Sequence, residues 1–98
     1  MRERLKRFTL NILELSEEIP VTPRGKAINY QIVKSGTSMY VNYRVALRGR
    51  SKREFYSKLS IVVEETDETE AWLDLLIWSP VFLKRMMSRI YIKNAENS

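Results

Sequence analysis

The sequence predicts an all-α protein, an antiparallel up-down four-helix bundle in a single domain spanning residues 1–98, with a short or irregular fourth helix. Three observations lead there. Apolar residues recur three and four positions apart through most of the chain, which sets them on one stripe of a helix. Prolines and glycines number only three each and, Gly36 apart, stand where such stretches begin or end. Cap and turn residues occur together at two junctions, so the connections are short and neighbouring helices must run antiparallel.

The first helix is expected from about Arg2 to Glu18, with Leu5, Phe8, Ile12, Leu15 and Ile19 on its inner stripe and Pro20 ending it. Thr22 reads as an N-cap with Pro23 at the first helical position, where a missing N–H costs nothing and a fixed φ suits the helix. The second helix follows, with Ile28, Ile32, Ser35, Met39, Asn42 and Ala46 as its seam. Its middle, Ser35-Gly36-Thr37-Ser38, is small and polar, and a glycine there costs about 1 kcal/mol relative to alanine. Close approach by a neighbouring helix or subunit is one reason for such residues; a tolerated weak spot is the other. Gly49 suits a left-handed helix terminus, and Ser51 with Glu54 has the form of a capping box. The third helix, to about Trp78, has the most regular seam: Phe55, Leu59, Val62, Thr66, Thr69, Leu73 and Leu76, with Trp72 beside it. Pro80 breaks it. A fourth helix from Leu83 to about Asn94 is expected to hold Leu83, Met86, Met87, Ile90 and Tyr91 on one side.

A chain of this length buries only about 60–65% of its unfolded surface. The core is therefore thin, and self-association is the expected source of further cover. Lys and Arg number 17 against 12 Asp and Glu, a net charge of +5 that favours solubility and attracts polyanions. The absence of cysteine excludes disulfides and thiolate metal sites, and there is no histidine. No apolar run approaches the roughly 18 residues that span a bilayer, and the charged start, Met1 to Arg7, lacks the apolar stretch of a signal peptide. No membrane partner is expected, and the location expected is cytoplasmic.

Charge is segregated along the chain. Arg44, Arg48, Arg50, Lys52, Arg53 and Lys58 cluster around the second junction with Glu54 as the sole acid among them. From Leu59 to Leu83 there is no basic residue, while Glu64, Glu65, Asp67, Glu68, Glu70 and Asp74 supply acids. The basic cluster could neutralise phosphates of RNA or DNA, with Tyr43 or Tyr56 stacking on bases. It could equally be a solvated turn, or face the acidic stretch of a neighbouring subunit in a heterologous ring contact. Glu64 and Glu68 share a helix face and, with Glu65 and Asp67, invite an oxygen-only metal site, yet dimetal bundles add histidines. A solvated acidic face or interhelical ion pairs account for them better, so no metal or cofactor is expected. Catalysis has the least support: serine and threonine hydroxyls have no histidine base, and no glycine-rich phosphate loop occurs.

The order Gln31-Ile32-Val33-Lys34-Ser35-Gly36-Thr37-Ser38, Asn42-Tyr43-Arg44, Arg50-Ser51-Lys52-Arg53-Glu54-Phe55, Lys58-Leu59, Glu64-Glu65, Asp67-Glu68-Thr69 and Trp72-Leu73 resembles the four-helix-bundle proteins encoded by intervening sequences in bacterial 23S ribosomal RNA genes. The accessory proteins of diversity-generating retroelements are similar. The resemblance covers about half of the chain and implies an antiparallel bundle that assembles into a homopentamer. For the retroelement relatives it implies binding of nucleic acid and of a reverse transcriptase through a basic surface, for which Arg44, Arg50, Lys52, Arg53 and Lys58 are the matched positions. Glu65 and Glu68 are matched acids that suit contacts between helices or subunits. No catalytic or metal residues come with it. The segment after Ser79-Pro80, with its Met86-Met87 pair, departs from the family pattern.

Overall fold

The second and third helices start where the sequence supplies caps. The computed structural model describes residues 1–96, with side chains through Ser88, as four helices: α1 (Arg2–Ser16), α2 (Pro23–Leu47), α3 (Lys52–Ile77) and α4 (Pro80–Glu96). Thr22 is extended and its Oγ1 accepts a hydrogen bond from the Gly25 N–H at 3.0 Å, which satisfies one of the orphan donors of α2. α1 ends earlier than expected, at Ser16. The chain then tightens, with Glu18 N–H donating to Leu15 O and Ile19 N–H to Ser16 O, and the Asn29 amide donates to the Ser16 carbonyl at 3.0 Å. This turn folds Ile19 back into the core, where it is 3% exposed.

α1, α2 and α3 pack antiparallel, with α2 in the middle and its contact with α3 the more extensive. The seams follow the expected spacing. Ile32, Met39 and Ala46 of α2 and Val62, Thr69 and Leu76 of α3 are buried, and the intervening seam positions Phe55, Leu59, Thr66 and Leu73 are half-buried. On α1 the stripe is turned slightly: Thr9 is buried and Phe8 is 39% exposed. The cause is a polar crossing at the centre. The Thr9 hydroxyl donates to the Gly36 carbonyl at 3.2 Å, and on the other side of α2 the Thr69 hydroxyl lies 2.8 Å from Ser35 Oγ and 2.8 Å from the Glu65 carbonyl. A Cβ on Gly36 would stand 3.0 Å from Ile12 Cγ2, so the glycine is present for close approach of α1 to α2.

α4 begins earlier than the sequence suggests, because Pro80 occupies its first turn. That start turns Phe82 and Met86 inward, Phe82 joining Ile12, Ile19, Ile32 and Leu76 in the core, and leaves Leu83 and Met87 exposed. The inner stripe expected through Leu83 and Met87 is thus corrected by one position; the side chains of Ile90 and Tyr91 lie outside the described residues. α4 packs on α3, and among the described residues no Cα of α4 comes within 8 Å of α1. An ion pair at 4.0 Å, Arg85 with Glu18, spans that side, and Arg85 is half-exposed, so it contributes less than about 1 kcal/mol.

The bundle is consequently open between α1 and α4. The Cα extents are 52 × 33 × 16 Å and the radius of gyration is 16.1 Å, against about 13 Å for a compact chain of this length. Its accessible surface is 7619 Å². A compact monomer of this mass exposes about 5,800 Å², so roughly 1,800 Å² more is in water than the mass requires.

Two predictions follow from the α1–α2–α3 contacts. Gly36→Ala gains about 1 kcal/mol of helix propensity but forces the buried, β-branched Ile12 to move, at about 1–3 kcal/mol. The expected sum in urea unfolding is a net loss of about 1 kcal/mol; a gain would show that α1 yields freely. Glu65 is half-buried, and desolvation first, then repulsion from Glu68 and Glu64, raises its pKa above 4.5, with Lys34 opposing. The folded state therefore holds the Glu65 proton more tightly than the unfolded chain does. This group's contribution to stability falls as pH rises from its unfolded pKa through its folded one. Glu65→Gln is expected to be stabilising at neutral pH, with the difference shrinking as pH drops below the ordinary glutamate range.

Candidate nucleic-acid interface

The residues between α2 and α3, Arg48 to Ser51, reverse the chain through tight bonds: Arg48 N–H to Val45 O and Gly49 N–H to Ala46 O, both at 3.0 Å. Among the described residues no glycine takes a positive φ, so the left-handed terminus expected at Gly49 does not form. Space is the requirement instead. A Cβ on Gly49 would lie 3.1 Å from the Phe55 nitrogen and 3.2 Å from the Ala46 carbonyl oxygen, because the turn folds down onto the first turn of α3. Ser51 caps α3 as expected, its Oγ accepting from the Glu54 N–H at 3.2 Å. The return bond is shifted by one residue: Glu54 Oε2 accepts from the Arg50 N–H at 2.7 Å rather than from Ser51.

This turn draws side chains from both helices around a cleft of about 460 Å³, lined by Arg48, Arg50, Arg53 and Lys58 together with Val45, Gly49, Glu54 and Ser57. Four of the six expected basic residues are therefore brought together. Arg44, half-buried in the last turn of α2, lines an adjoining depression of about 310 Å³ with Tyr40, Val41, Val45 and Arg48. Val45 and Arg48 border both, so the two concavities are neighbours. Lys52 is exposed and lines neither. The aromatic neighbour is also different from the one expected. Tyr56 packs edge-on against Phe55, ring centroids 5.4 Å apart, and neither it nor Tyr43 lines these concavities; Tyr40 does. The signal for it was present in the helical spacing of Tyr40, Val41, Arg44, Val45 and Arg48.

Among the described residues no carboxylate stands within 4.0 Å of any of the six cations. Glu54, the acid in the cleft, is already hydrogen-bonded to the backbone. The N-terminus of α3 adds the positive end of a 26-residue helix dipole at the same place, so Lys52 and Arg53 sit against that dipole rather than with it. The site is an uncompensated concentration of positive charge. Among the described residues there is no group of three or more carboxylates that could hold a metal ion, and no helix is long and apolar enough to cross a membrane.

No family model and no curated protein matches this chain. A crystal structure does: a protein with unknown function from the S23 ribosomal protein family of Bacteroides thetaiotaomicron, 34% identical, with a TM-score of 0.72 over 78% of this chain and 70% of that one. The chain belongs to the S23 ribosomal protein family. The resemblance to 23S rRNA intervening-sequence proteins is thereby borne out, and so is the helical architecture it implied. In this S23 chain Arg44, Arg50, Arg53 and Lys58 line the two concavities at the α2–α3 reversal, and Lys52 lies beside them in the first turn of α3. Glu65 lies instead at the α2–α3 packing level, within electrostatic reach of Lys34.

The opposition between the α3 dipole and its first-turn cations is testable in the S23 chain. Lys52→Glu and Arg53→Glu are each expected to raise stability by about 0.3–1 kcal/mol at low ionic strength. Urea unfolding at two salt concentrations checks this, since the gain shrinks with screening. A loss of stability would mean that contacts within the subunit already satisfy these cations.

Proposed function

We propose that this S23-family chain is a non-enzymatic, homo-oligomeric protein of the cytoplasm that binds RNA or DNA through the α2–α3 turn. Assembly into a pentamer and partnership with a reverse transcriptase are what the family resemblance implies, and they form part of the same proposal. The observation that carries the nucleic-acid reading is the convergence of Arg48, Arg50, Arg53 and Lys58 on one cleft with no carboxylate paired to them among the described residues. Phosphate oxygens are the ligands such a site accepts, and Tyr40 offers a ring at its margin for base stacking. The non-enzymatic reading is supported by the residue types present: cations, a carboxylate held by the backbone, and no histidine or cysteine in the chain.

A protein-interaction scaffold without a nucleic-acid role is the second reading. It is favoured by the acid-only stretch of α3 from Leu59 onward, which is opposite in sign to the turn and belongs to every copy.

Binding of single-stranded RNA and DNA across a salt series separates the two. Four phosphate contacts predict a slope of about −3 in log K against log salt, and Arg53→Ala should reduce its magnitude by about 0.7. No binding at low salt, or affinity indifferent to salt, would leave the scaffold.

A further inference from the structure

Two exposed faces meet at the corner where α3 passes into α4. On α3, Ala71, Asp74, Leu75 and Trp78 follow the spacing i, i+3, i+4, i+7 and are all exposed, Leu75 at 56% and Trp78 at 76%. On α4, Pro80, Leu83, Lys84 and Met87 repeat that spacing and are also exposed, Met87 at 68%. Each face is apolar with one charge, Asp74 on the first and Lys84 on the second. Large apolar side chains gathered in this way on a small soluble protein mark an interaction surface.

The two faces cannot close on each other within one chain. Phe82 and Met86 tie α4 to the side of α3 that carries Leu73 and Leu76. At 100° per residue, Ala71 and Trp78 lie on the far side of α3 from Leu76. The faces therefore point to different neighbours. Their charges are opposite, and the acidic one belongs to a stretch without any basic residue between Leu59 and Leu83.

We propose that a second copy of this chain covers the corner: the α4 face of one copy packs on the α3 face of the next, Leu83 and Met87 against Leu75 and Trp78, with Lys84 beside Asp74. Charge supports this occupant: every copy carries both faces, and their single charges, Asp74 and Lys84, are exposed and opposite in sign. Because the two faces differ, the contact is handed on from copy to copy, as in a ring. The inference rests on the self-association proposed above and assigns the surface that makes it.

Light scattering and sedimentation of the wild type, Asp74→Lys, Lys84→Asp and the double exchange test it, with circular dichroism to verify helicity. Expected are an assembled wild type, each single exchange weakening association at least tenfold, and the double exchange restoring it. A monomeric wild type at high concentration overturns self-association and this assignment with it. An assembled wild type whose single variants keep full mass overturns the assignment alone, as does a double exchange that stays dissociated. Should a single exchange unfold the chain, cross-linking decides. The chain has no cysteine, so Trp78→Cys with Met87→Cys should give intermolecular disulfides on mild oxidation; their absence in an assembled sample refutes the contact.

Discussion

The structure depends on how closely three helices approach at the level of Ser35 and Gly36. Gly36 admits Ile12 of α1 against the backbone of α2, and Ser35, on the adjoining side, meets Thr69 of α3. Hydroxyls at such a place are costly unless bonded, and here Thr9, Ser35 and Thr69 all find partners, so one axial register is favoured over slipped alternatives. Apolar contacts alone would tolerate sliding of one helix along another. The polar crossing does not, and it sets where the far ends of α2 and α3 fall, and with them the turn that gathers the cations.

The second constraint is shortage of cover. α2 is flanked on both sides, whereas α1 has α2 alone as a backbone neighbour and α4 has α3 alone among the described residues. A closed bundle would join α1 to α4; here Phe82 plugs the end of the core, and among the described side chains of α4 only Met86 is also partly buried. The result is a flat molecule with two kinds of surface. At the α2–α3 turn the exposed groups are mostly cationic, and at the α3–α4 corner they are mostly apolar. The apolar corner reflects the thin core, since a chain this small buries only part of its apolar stripes.

The helices of this fold were legible because their seams obey one period without ambiguity. The α3 seam from Phe55 to Leu76 is the clearest case, and every position in it is buried or half-buried. α4 was legible as a helix but not in its facing. The run Val81-Phe82-Leu83 and the pair Met86-Met87 satisfy two adjacent stripes equally well, and the choice falls to Phe82 and Met86 through packing on Leu76, a tertiary contact that no local pattern encodes. The basic site was legible as a cluster of residue types. Which four of them converge was not, because that follows from a turn so tight that a Cβ on Gly49 would crowd the Phe55 nitrogen and the Ala46 carbonyl. The same turn separates Lys52 from the cleft and brings in Tyr40 rather than Tyr43 or Tyr56.

The positions of the two surfaces bear on each other. The basic turn is at the N-terminal end of α3 and the apolar corner at its C-terminal end, and a 26-residue helix holds them about 39 Å apart. A ligand at one end therefore does not compete for space with a neighbouring subunit at the other. Rotational symmetry in a ring would carry every basic turn to the same rim. A single turn offers four cations, enough for modest affinity at low salt and little at physiological salt. Several turns on one rim meet a long polyanion as linked sites, and each contact after the first is made at a high effective concentration. If the proposed assembly and the proposed nucleic-acid binding both hold, the apolar corner and the cationic cleft form one device: assembly would raise the affinity of a site that is weak in any one copy, so a dissociating change near Trp78 should weaken nucleic-acid binding at a distance, without touching a residue of the cleft.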